Sequence, residues 1–340
     1  MNDKDFSPEL NKVVRLEPLS GMILPSGIRF FDNSSLDTYR VCPRKFYYRH
    51  IRNFEPTSIR IALVFGSSWH SAMDFIWANA FSFSEASLIE GGVHSFNERW
   101  AQEGISDDLG FDYYPRTPAR AAQMLSLYVP QYHDLLRRYN ILAIERPFIV
   151  PLTNMTDIYY VGKLDKVFEY MNYIYIVDHK TSSSFAGNWM QQFSPNGQID
   201  GYLHAGHSSY GERFKEVIID GALVQKTSMD FKRIPVARQI NQLSSWMWEV
   251  QELIDQVEVN EERLLEYRAG GESVGFLPAF PKCTSSCTTY YGLCPYIDLC
   301  KFWDDPETKK CPDGFIEDKW EPFHIEEKDG DFQVQITNGD

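Results

Sequence analysis

The sequence predicts an α/β fold with a sheet flanked by helices, a helical insertion and a cysteine-bearing cap. Three observations predict it. Helical periodicity dominates up to about residue 140, and an alternating pattern typical of strands begins at residue 141. One helix and a further strand follow that pattern, and cysteines gather towards the C-terminal end of the chain.

Composition bounds the class of protein. The chain has 340 residues, of which 43% are hydrophobic, so it can build a substantial core. No apolar stretch is long enough for a membrane helix, and the acidic, polar start does not resemble a signal peptide. We therefore expect a cytoplasmic protein without membrane contact. Its six cysteines should be reduced and available as ligands rather than joined in disulfides.

The first part of the chain is expected to be helical after a loose lead-in over residues 1–30. Ser34 and Ser35 offer an N-cap for the first of these helices. Helices are predicted from there to Phe46 with a break near Pro43, from Gly66 past Trp77, over 84–104 and over 115–140.

The strand candidates that follow include a hairpin. Ile141–Pro151 is the first candidate, and the segments Ile158–Tyr170 and Tyr173–Lys180 flank a natural two-residue turn, Met171-Asn172. Such a turn pairs residue 170 with 173, which places Asp165 opposite Asp178.

The predicted hairpin groups two acids and a lysine. Lys180 lies two residues beyond Asp178 and therefore on the same strand face. Like charges placed opposite each other destabilise a hairpin, and a hard divalent cation would cancel their repulsion. A neighbouring lysine could orient a water or stabilise charge in a transition state. The alternative is an exposed hairpin with scattered charges in a slightly different register.

Beyond the hairpin we expect one helix, one strand and one long helix. The first helix, over 197–207, carries Gln198 and Tyr202 four residues apart and hence on one face, where they suit a phosphate or a base, or form an ordinary polar edge. A strand over 216–225 and an amphipathic helix over 236–268 follow.

Cys287, Cys294 and Cys300 are separated by six and five residues, which suits zinc or an iron–sulfur cluster. A fourth ligand would come from Cys283, Cys311 or the distant Cys42. Spacing alone does not distinguish the two groups, and buried, inert thiols are the alternative.

Charge is unevenly distributed. The formal net charge is −14, and residues 301–340 carry half of it. This acidic tail predicts a solvated extension or a partner surface. In contrast, residues 40–52 contain five basic residues and no acid, so a local basic surface could follow a phosphate backbone.

Six features in chain order carry a family resemblance. They are SSLDTYRVCPRKFYYRHI (34–51), FGSSWH ending at His70, GKLDKV, IVDHKT, the QxxxY pattern from Gln198, and the three late cysteines. Together they resemble the RecB-type branch of the PD-(D/E)XK nuclease superfamily. That branch includes the AddB nuclease domain and CRISPR-associated exonucleases with a cysteine-bound cluster. Two departures are the wide cysteine spacing and the competing Cys283.

The resemblance implies a restriction-endonuclease-like core, a mixed central sheet flanked by helices. It covers a nuclease domain over 31–303, with the helical insertion at about 75–140 and a cluster-binding segment over 283–300 that joins Cys42. The acidic C-terminal tail, 304–340, lies outside it.

The resemblance also implies a role for each matched residue. His70, Asp165, Asp178 and the backbone carbonyl of His179 would hold Mg²⁺ or Mn²⁺. Lys180 would position the attacking water. Gln198 and Tyr202 would brace the DNA strand or that lysine, and Glu145 would align the set. Cys42, Cys287, Cys294 and Cys300 would hold a structural [4Fe–4S] cluster, with Zn²⁺ as the alternative.

The expected function is a metal-dependent DNA nuclease, an exonuclease that hydrolyses phosphodiester bonds at single-stranded ends in DNA repair, recombination or CRISPR-type processing. A helicase or an integrase-type protein is an expected partner. One alternative is a DNA-binding or scaffold subunit with weak or no cleavage. Another is a zinc-stabilised interaction protein whose hairpin acids are incidental.

Overall fold

A computed structural model describes residues 22–24, 28–105, 113–152, 157–270, 274–289, 292–319, 324–328 and 331–335. These residues form two compact units. The sheet unit contains the described residues of 59–150 and 163–239. The cysteine unit contains those of 18–58, 151–162 and 240–340. Most of the expected lead-in, residues 1–21 and 25–27, lies outside the described residues.

Thirteen strands occur in the described part of the chain. They are β1 Met22–Leu24, β2 Arg29–Phe31, β3 Phe54–Pro56, β4 Asn140–Pro151, β5 Ile158–Tyr170, β6 Tyr173–Ser182, β7 Phe214–Val224, β8 Met229–Val236, β9 Thr288–Thr289, β10 Gly292–Leu293, β11 Phe315–Glu317, β12 His324–Lys328 and β13 Asp331–Gln335.

The same residues contain eight α-helices, together with short 3₁₀ turns and a π-helical turn at Tyr47–Ile51. The α-helices are α1 Asn33–Val41, α2 Pro43–Phe46, α3 Ile61–Asn79, α4 Glu85–Gln102, α5 Pro118–Leu136, α6 Gly197–Tyr210, α7 Ile240–Arg268 and α8 Ile297–Phe302. None of these helices combines the length and the hydropathy that a membrane crossing requires.

The central sheet is mixed, which confirms the predicted α/β fold with a mixed sheet flanked by helices. Its strand order is β2-β5-β6-β7-β8, and β4 also pairs with β5. The β5/β6 and β7/β8 pairs are antiparallel, whereas β2/β5 and β6/β7 are parallel. Within the sheet unit, α3, α4 and α5 share one hydrophobic core with β5–β8, and its large buried rings include Trp69, Trp77 and Tyr128.

The hairpin has the predicted turn and register. Met171 and Asn172 have φ angles of 50° and 66°, the left-handed conformation that a tight two-residue hairpin turn requires. The pairing begins with Tyr170 opposite Tyr173 and continues to Lys166 opposite Val177. The next step along this register is Asp165 with Asp178.

Several element boundaries differ from the predicted ones. The N-cap of α1 is Asp32, whose side chain forms a capping box with Ser35, and not the Ser34-Ser35 pair. Helix α3 begins at Ile61, five residues before Gly66, and its first five residues, IALVF, are apolar. Strand β8 was not predicted. It lies at the edge of the sheet, where Pro235 can be tolerated.

The cysteine unit contains two small sheets, β1-β13-β12 and β11-β3, besides the short β9/β10 pair. Its strand β11 belongs to the acidic tail and pairs with β3, so this part of the tail is not a free extension. Helix α7 lies against α1, where the Tyr39 hydroxyl donates to the carbonyl of Gln256 and accepts from Asn260.

Candidate active site

Five elements of the sheet unit bring polar side chains together at one place. Helix α3 carries His70, and strands β5 and β6 carry Asp165 and Asp178. Strand β4 carries Glu145, and helix α6 adds polar groups beside β6. The register of the β5/β6 hairpin places Asp165 and Asp178 opposite each other on neighbouring strands.

His70, Glu145 and Asp165 form one potential ligand set. One ligand atom from each of the three lies within 4.8 Å of the other two. The Nδ1 atom of His70 is 3.4 Å from Oδ2 of Asp165. Its Nε2 is 2.8 Å from the carbonyl oxygen of His179. An imidazole, two carboxylates and a backbone carbonyl are donors that magnesium and manganese accept.

Electrostatics couple His70 to Asp165. Burial disfavours charge on both groups, but their mutual attraction outweighs it: the pKa of His70 is raised and the pKa of Asp165 is lowered. Asp165 also accepts a hydrogen bond of 2.8 Å from the backbone N–H of His179. The Asp165 carboxylate is therefore held ionised and oriented, as a metal ligand must be.

Glu145 is placed by its own backbone and by a lysine. Its φ angle of 50° is uncommon for a residue with a side chain. Its carboxylate forms an ion pair with Lys163, whose side chain is exposed. The sequence suggested only an aligning role for Glu145, whereas the structure places it within the potential ligand set.

Asp178 and Lys180 start a chain of hydrogen bonds. Both carboxylate oxygens of Asp178, which is 1% exposed, lie 2.9 Å from Nζ of Lys180. Lys180 donates to Oε1 of Gln198 at 2.9 Å, and Nε2 of Gln198 donates to the Tyr202 hydroxyl at 2.9 Å. That hydroxyl donates to the carbonyl of Lys163 at 3.1 Å. The predicted lysine, glutamine and tyrosine therefore form one connected unit.

Asp178 lies outside the group of three that contains His70. Burial, helped by repulsion from Asp165, raises the pKa of Asp178 against the opposing effect of Lys180. Its Oδ2 atom has no hydrogen-bond donor of good geometry in the described part of the chain. A buried carboxylate oxygen in this state has a lone pair available for a cation.

A second acid on α3 was not predicted. Asp74 lies four residues after His70, hence on the same helix face, and forms an ion pair with the fully buried Nζ of Lys166. Lys166 directly follows Asp165 in the chain. The i, i+4 spacing from His70 was the available sequence signal.

Electrostatic interactions link the four predicted cluster cysteines within the cysteine unit. Burial raises the pKa of Cys294, and the nearby Cys42 and Cys287 raise it further. Burial likewise raises the pKa of Cys300, with added effects of Cys42 and Cys294. Among the described residues, however, no three cysteine sulfurs come within 4.8 Å of one another. The backbone N–H of the competing Cys283 donates to Sγ of Cys42 at 3.3 Å.

Three of the five basic residues between 40 and 52 bind groups within their own unit and do not form the open basic surface that their charge suggested. Arg44 is 4% exposed and donates to the carbonyls of Phe280, Leu277 and Ala279. Arg52 binds the carbonyls of Pro306 and Lys309, and Arg49 pairs with Glu55 and Asp318. Arg44 satisfies buried carbonyls, whereas Arg49 and Arg52 bind carbonyls and acids of the same unit, and sequence composition shows neither arrangement.

Comparison with known proteins decides the family. Residues 33–301 match the family model of the PD-(D/E)XK nuclease superfamily. The chain belongs to this superfamily. The match spans the hairpin, both site helices and the late cysteines of this PD-(D/E)XK protein. No curated protein sequence gives a significant match.

Solved structures with detectable similarity are distant. An alkaline exonuclease from Laribacter hongkongensis, LHK-Exo, is 11% identical with a TM-score of 0.26, covering 61% of this chain and 97% of that one. The structure named SSO0001 is 13% identical with a TM-score of 0.26, covering 65% of this chain and 85% of that one. LHK-Exo in complex with dAMP gives 11% identity and a TM-score of 0.25. The family assignment rests on the family model.

Proposed function

We propose that this PD-(D/E)XK protein is a deoxyribonuclease that requires Mg²⁺ or Mn²⁺ and removes nucleotides from single-stranded DNA ends. The observation that carries the proposal is the convergence of His70, Glu145 and Asp165 beside the Asp178–Lys180 pair. Members of the superfamily are nucleases that use divalent metals, and the donor set suits a hard cation.

The residues that would hold the cation are His70, Glu145, Asp165, Asp178 and the carbonyl of His179. The observation that tests the fit is the buried Oδ2 of Asp178, which lacks a donor of good geometry among the described residues. When bound, the cation would polarise a phosphate oxygen and make an attacking water more acidic.

Lys180 contributes positive charge next to that site. An ammonium group has three N–H donors, and two of them bind Asp178 and Gln198. The third is left for the attacking water or for a phosphate oxygen as negative charge develops on it. Gln198, fixed by Tyr202, restricts the ammonium to one position and so limits the rearrangement that the reaction needs.

The cysteine unit, on this proposal, holds a structural [4Fe–4S] cluster at Cys42, Cys287, Cys294 and Cys300. The interactions of Cys294 with Cys42 and Cys287, and of Cys300 with Cys42 and Cys294, support it. Anaerobically purified protein should contain iron rather than zinc, with the visible absorbance of a cluster. Cys294→Ser should abolish that absorbance and destabilise the protein, because the metal closes a loop of more than 200 residues. A coloured, stable Cys294→Ser protein would contradict the assignment.

The experiment that tests the activity is cleavage of end-labelled single-stranded DNA with Mn²⁺, Mg²⁺ or EDTA. Wild-type protein should degrade linear DNA only with a divalent metal and leave a closed single-stranded circle intact. Lys180→Met should lower the rate by about 10²–10⁴-fold, since it removes charge stabilisation at the site. Lys215→Met is the matched control, because Lys215 is exposed on β7; its rate should be unchanged.

Cleavage that persists in EDTA would refute the metal dependence, and an unchanged rate in Lys180→Met would refute the site. DNA binding without cleavage under either metal would refute the nuclease activity and favour a scaffold subunit. Cleavage of the closed circle would keep the nuclease and refute the action at ends.

A further inference from the structure

A buried polar network lies behind the candidate active site, on the opposite face of β6. The Tyr128 hydroxyl of α5 donates to Oδ2 of Asp220 on β7 at 2.6 Å. Arg233 on β8 donates to the Tyr128 oxygen at 3.0 Å and to Oδ2 of Asp220 at 3.2 Å. Tyr128 and Asp220 are 1% and 2% exposed. Buried charges are costly unless paired, and here the arginine balances the carboxylate.

The ring of His179 is in contact with this network. It is buried, and its Nδ1 lies 3.5 Å from Oδ2 of Asp220. The Trp77 ring meets it in a T-shaped arrangement with 5.7 Å between ring centroids. Trp77 also donates from Nε1 to the Tyr128 hydroxyl at 3.3 Å. The imidazole therefore lies between a fixed carboxylate and a fixed indole.

The same residue supplies main-chain groups to the site. The N–H of His179 donates to Asp165, and its carbonyl oxygen accepts from His70. Side chains alternate along a strand, so the ring lies behind the sheet while its neighbours Asp178 and Lys180 face the site. The position of the ring thus sets where the N–H and carbonyl point.

Trp77 couples the network to α3 as well. It lies seven residues, or two helical turns, after His70 and so on the same helix face. The network therefore contacts two of the elements that hold the proposed ligands, α3 through Trp77 and β6 through His179. Directional hydrogen bonds from Tyr128 and Arg233 to Asp220 restrict side-chain positions more narrowly than apolar packing does.

We propose that Tyr128, Asp220 and Arg233 form a positioning network for the cation site: they fix the His179 ring and thereby orient the main-chain groups that hold His70 and Asp165. This inference rests on the proposed cation site. None of the three side chains would touch metal or DNA.

The test is Mn²⁺ binding, measured as the loss of the free Mn²⁺ electron paramagnetic resonance signal, in the full-length Tyr128→Phe variant. This change removes only the hydroxyl that hydrogen-bonds to Asp220, Trp77 and Arg233. Partners that orient metal ligands typically affect metal affinity by about 10–100-fold, and we expect about tenfold weaker binding. With DNA present, the Mn²⁺ concentration that gives half the maximal cleavage rate should rise by the same factor. The cleavage rate at saturating Mn²⁺ should recover to the wild-type value.

Tyr132→Phe is the matched control. Tyr132 lies one turn further along α5 and packs under the same guanidinium, with Arg233 4.0 Å from its ring centroid. Its ring contact survives the substitution, so Mn²⁺ affinity should change by less than about twofold. Asp220→Asn is the second variant. It keeps the side-chain shape, and it should also weaken Mn²⁺ binding if Tyr128→Phe fails to fold.

The outcomes separate this inference from the proposed function. Wild-type protein that binds no Mn²⁺ would refute the cation site itself. Wild-type protein that binds Mn²⁺, with a folded Tyr128→Phe or Asp220→Asn variant that binds it equally well, would overturn the positioning network alone. Equal weakening in Tyr128→Phe and Tyr132→Phe would also overturn it, because general loosening of α5 would then explain both.

Discussion

The ion pair between Asp74 and Lys166 predicts that replacing one partner will destabilise the protein more than replacing the other. The Lys166 side chain is 0% exposed, whereas the Asp74 side chain is 29% exposed. Asp74→Asn leaves an ammonium buried without its carboxylate. Lys166→Met leaves a carboxylate that water can still reach. The first change should therefore cost much more stability than the second.

The magnitude follows from burial. Removing one partner of a buried ion pair costs about 3–5 kcal/mol. Asp165 also lies close enough to Lys166 to interact with its charge and partly compensates it. We therefore expect Asp74→Asn to lower the free energy of unfolding by about 3 kcal/mol. For an unfolding unit of about 150–250 residues, this lowers the melting temperature by about 6–12 °C. Lys166→Met should cost about 1 kcal/mol, and the double variant should resemble Lys166→Met alone.

The assay is thermal and urea unfolding at pH 7, followed by circular dichroism without added divalent metal. The double variant makes the coupling between the two side chains measurable. An Asp74→Asn protein no less stable than Lys166→Met would refute the argument, since it would mean that the buried ammonium needs no counter-charge.

Three further predictions concern separate parts of the chain. Gln198→Ala should slow cleavage by about tenfold with unchanged Mn²⁺ binding, because it frees Lys180 without altering a proposed metal ligand. An equal loss of cleavage and of Mn²⁺ binding would contradict this. Met171→Asn should raise the free energy of unfolding by up to about 1 kcal/mol in urea, because the φ angle of 50° suits asparagine better. Burial, with Arg49 and Lys45 nearby, lowers the pKa of His50 from 6.5 to about 4. The unfolded chain therefore gains its proton first, and about 3 kcal/mol of stability present above pH 6.5 is lost as the pH falls towards 4. His50→Gln should remove this part of the pH dependence of urea unfolding; an unchanged profile would contradict it.

The sequence was most informative where local rules dominate. The Met171-Asn172 turn fixed the hairpin register, and that register alone brings Asp165 level with Asp178. The i, i+4 spacing likewise placed Gln198 and Tyr202 on one helix face, where their side chains now hydrogen-bond. Both inferences needed only chain geometry over a few residues.

What the sequence could not show depends on contacts between distant segments. Glu145 enters the ligand set only because β4 pairs with β5 and its backbone adopts a positive φ. Arg44 appears as surface charge in the sequence but is buried against carbonyls more than 200 residues away. The contact of Tyr128 with Asp220 spans 92 residues and leaves no local pattern. Tertiary packing decides all three.

The most direct test of the central claim is to locate the cation. Crystals grown with Mn²⁺ should give an anomalous difference peak within bonding distance of His70 and Asp165, next to the carbonyl of His179. Asp165→Asn crystals treated identically should lack it. A structure in which Mn²⁺ is absent from this site, or in which the peak persists in Asp165→Asn, would contradict the account.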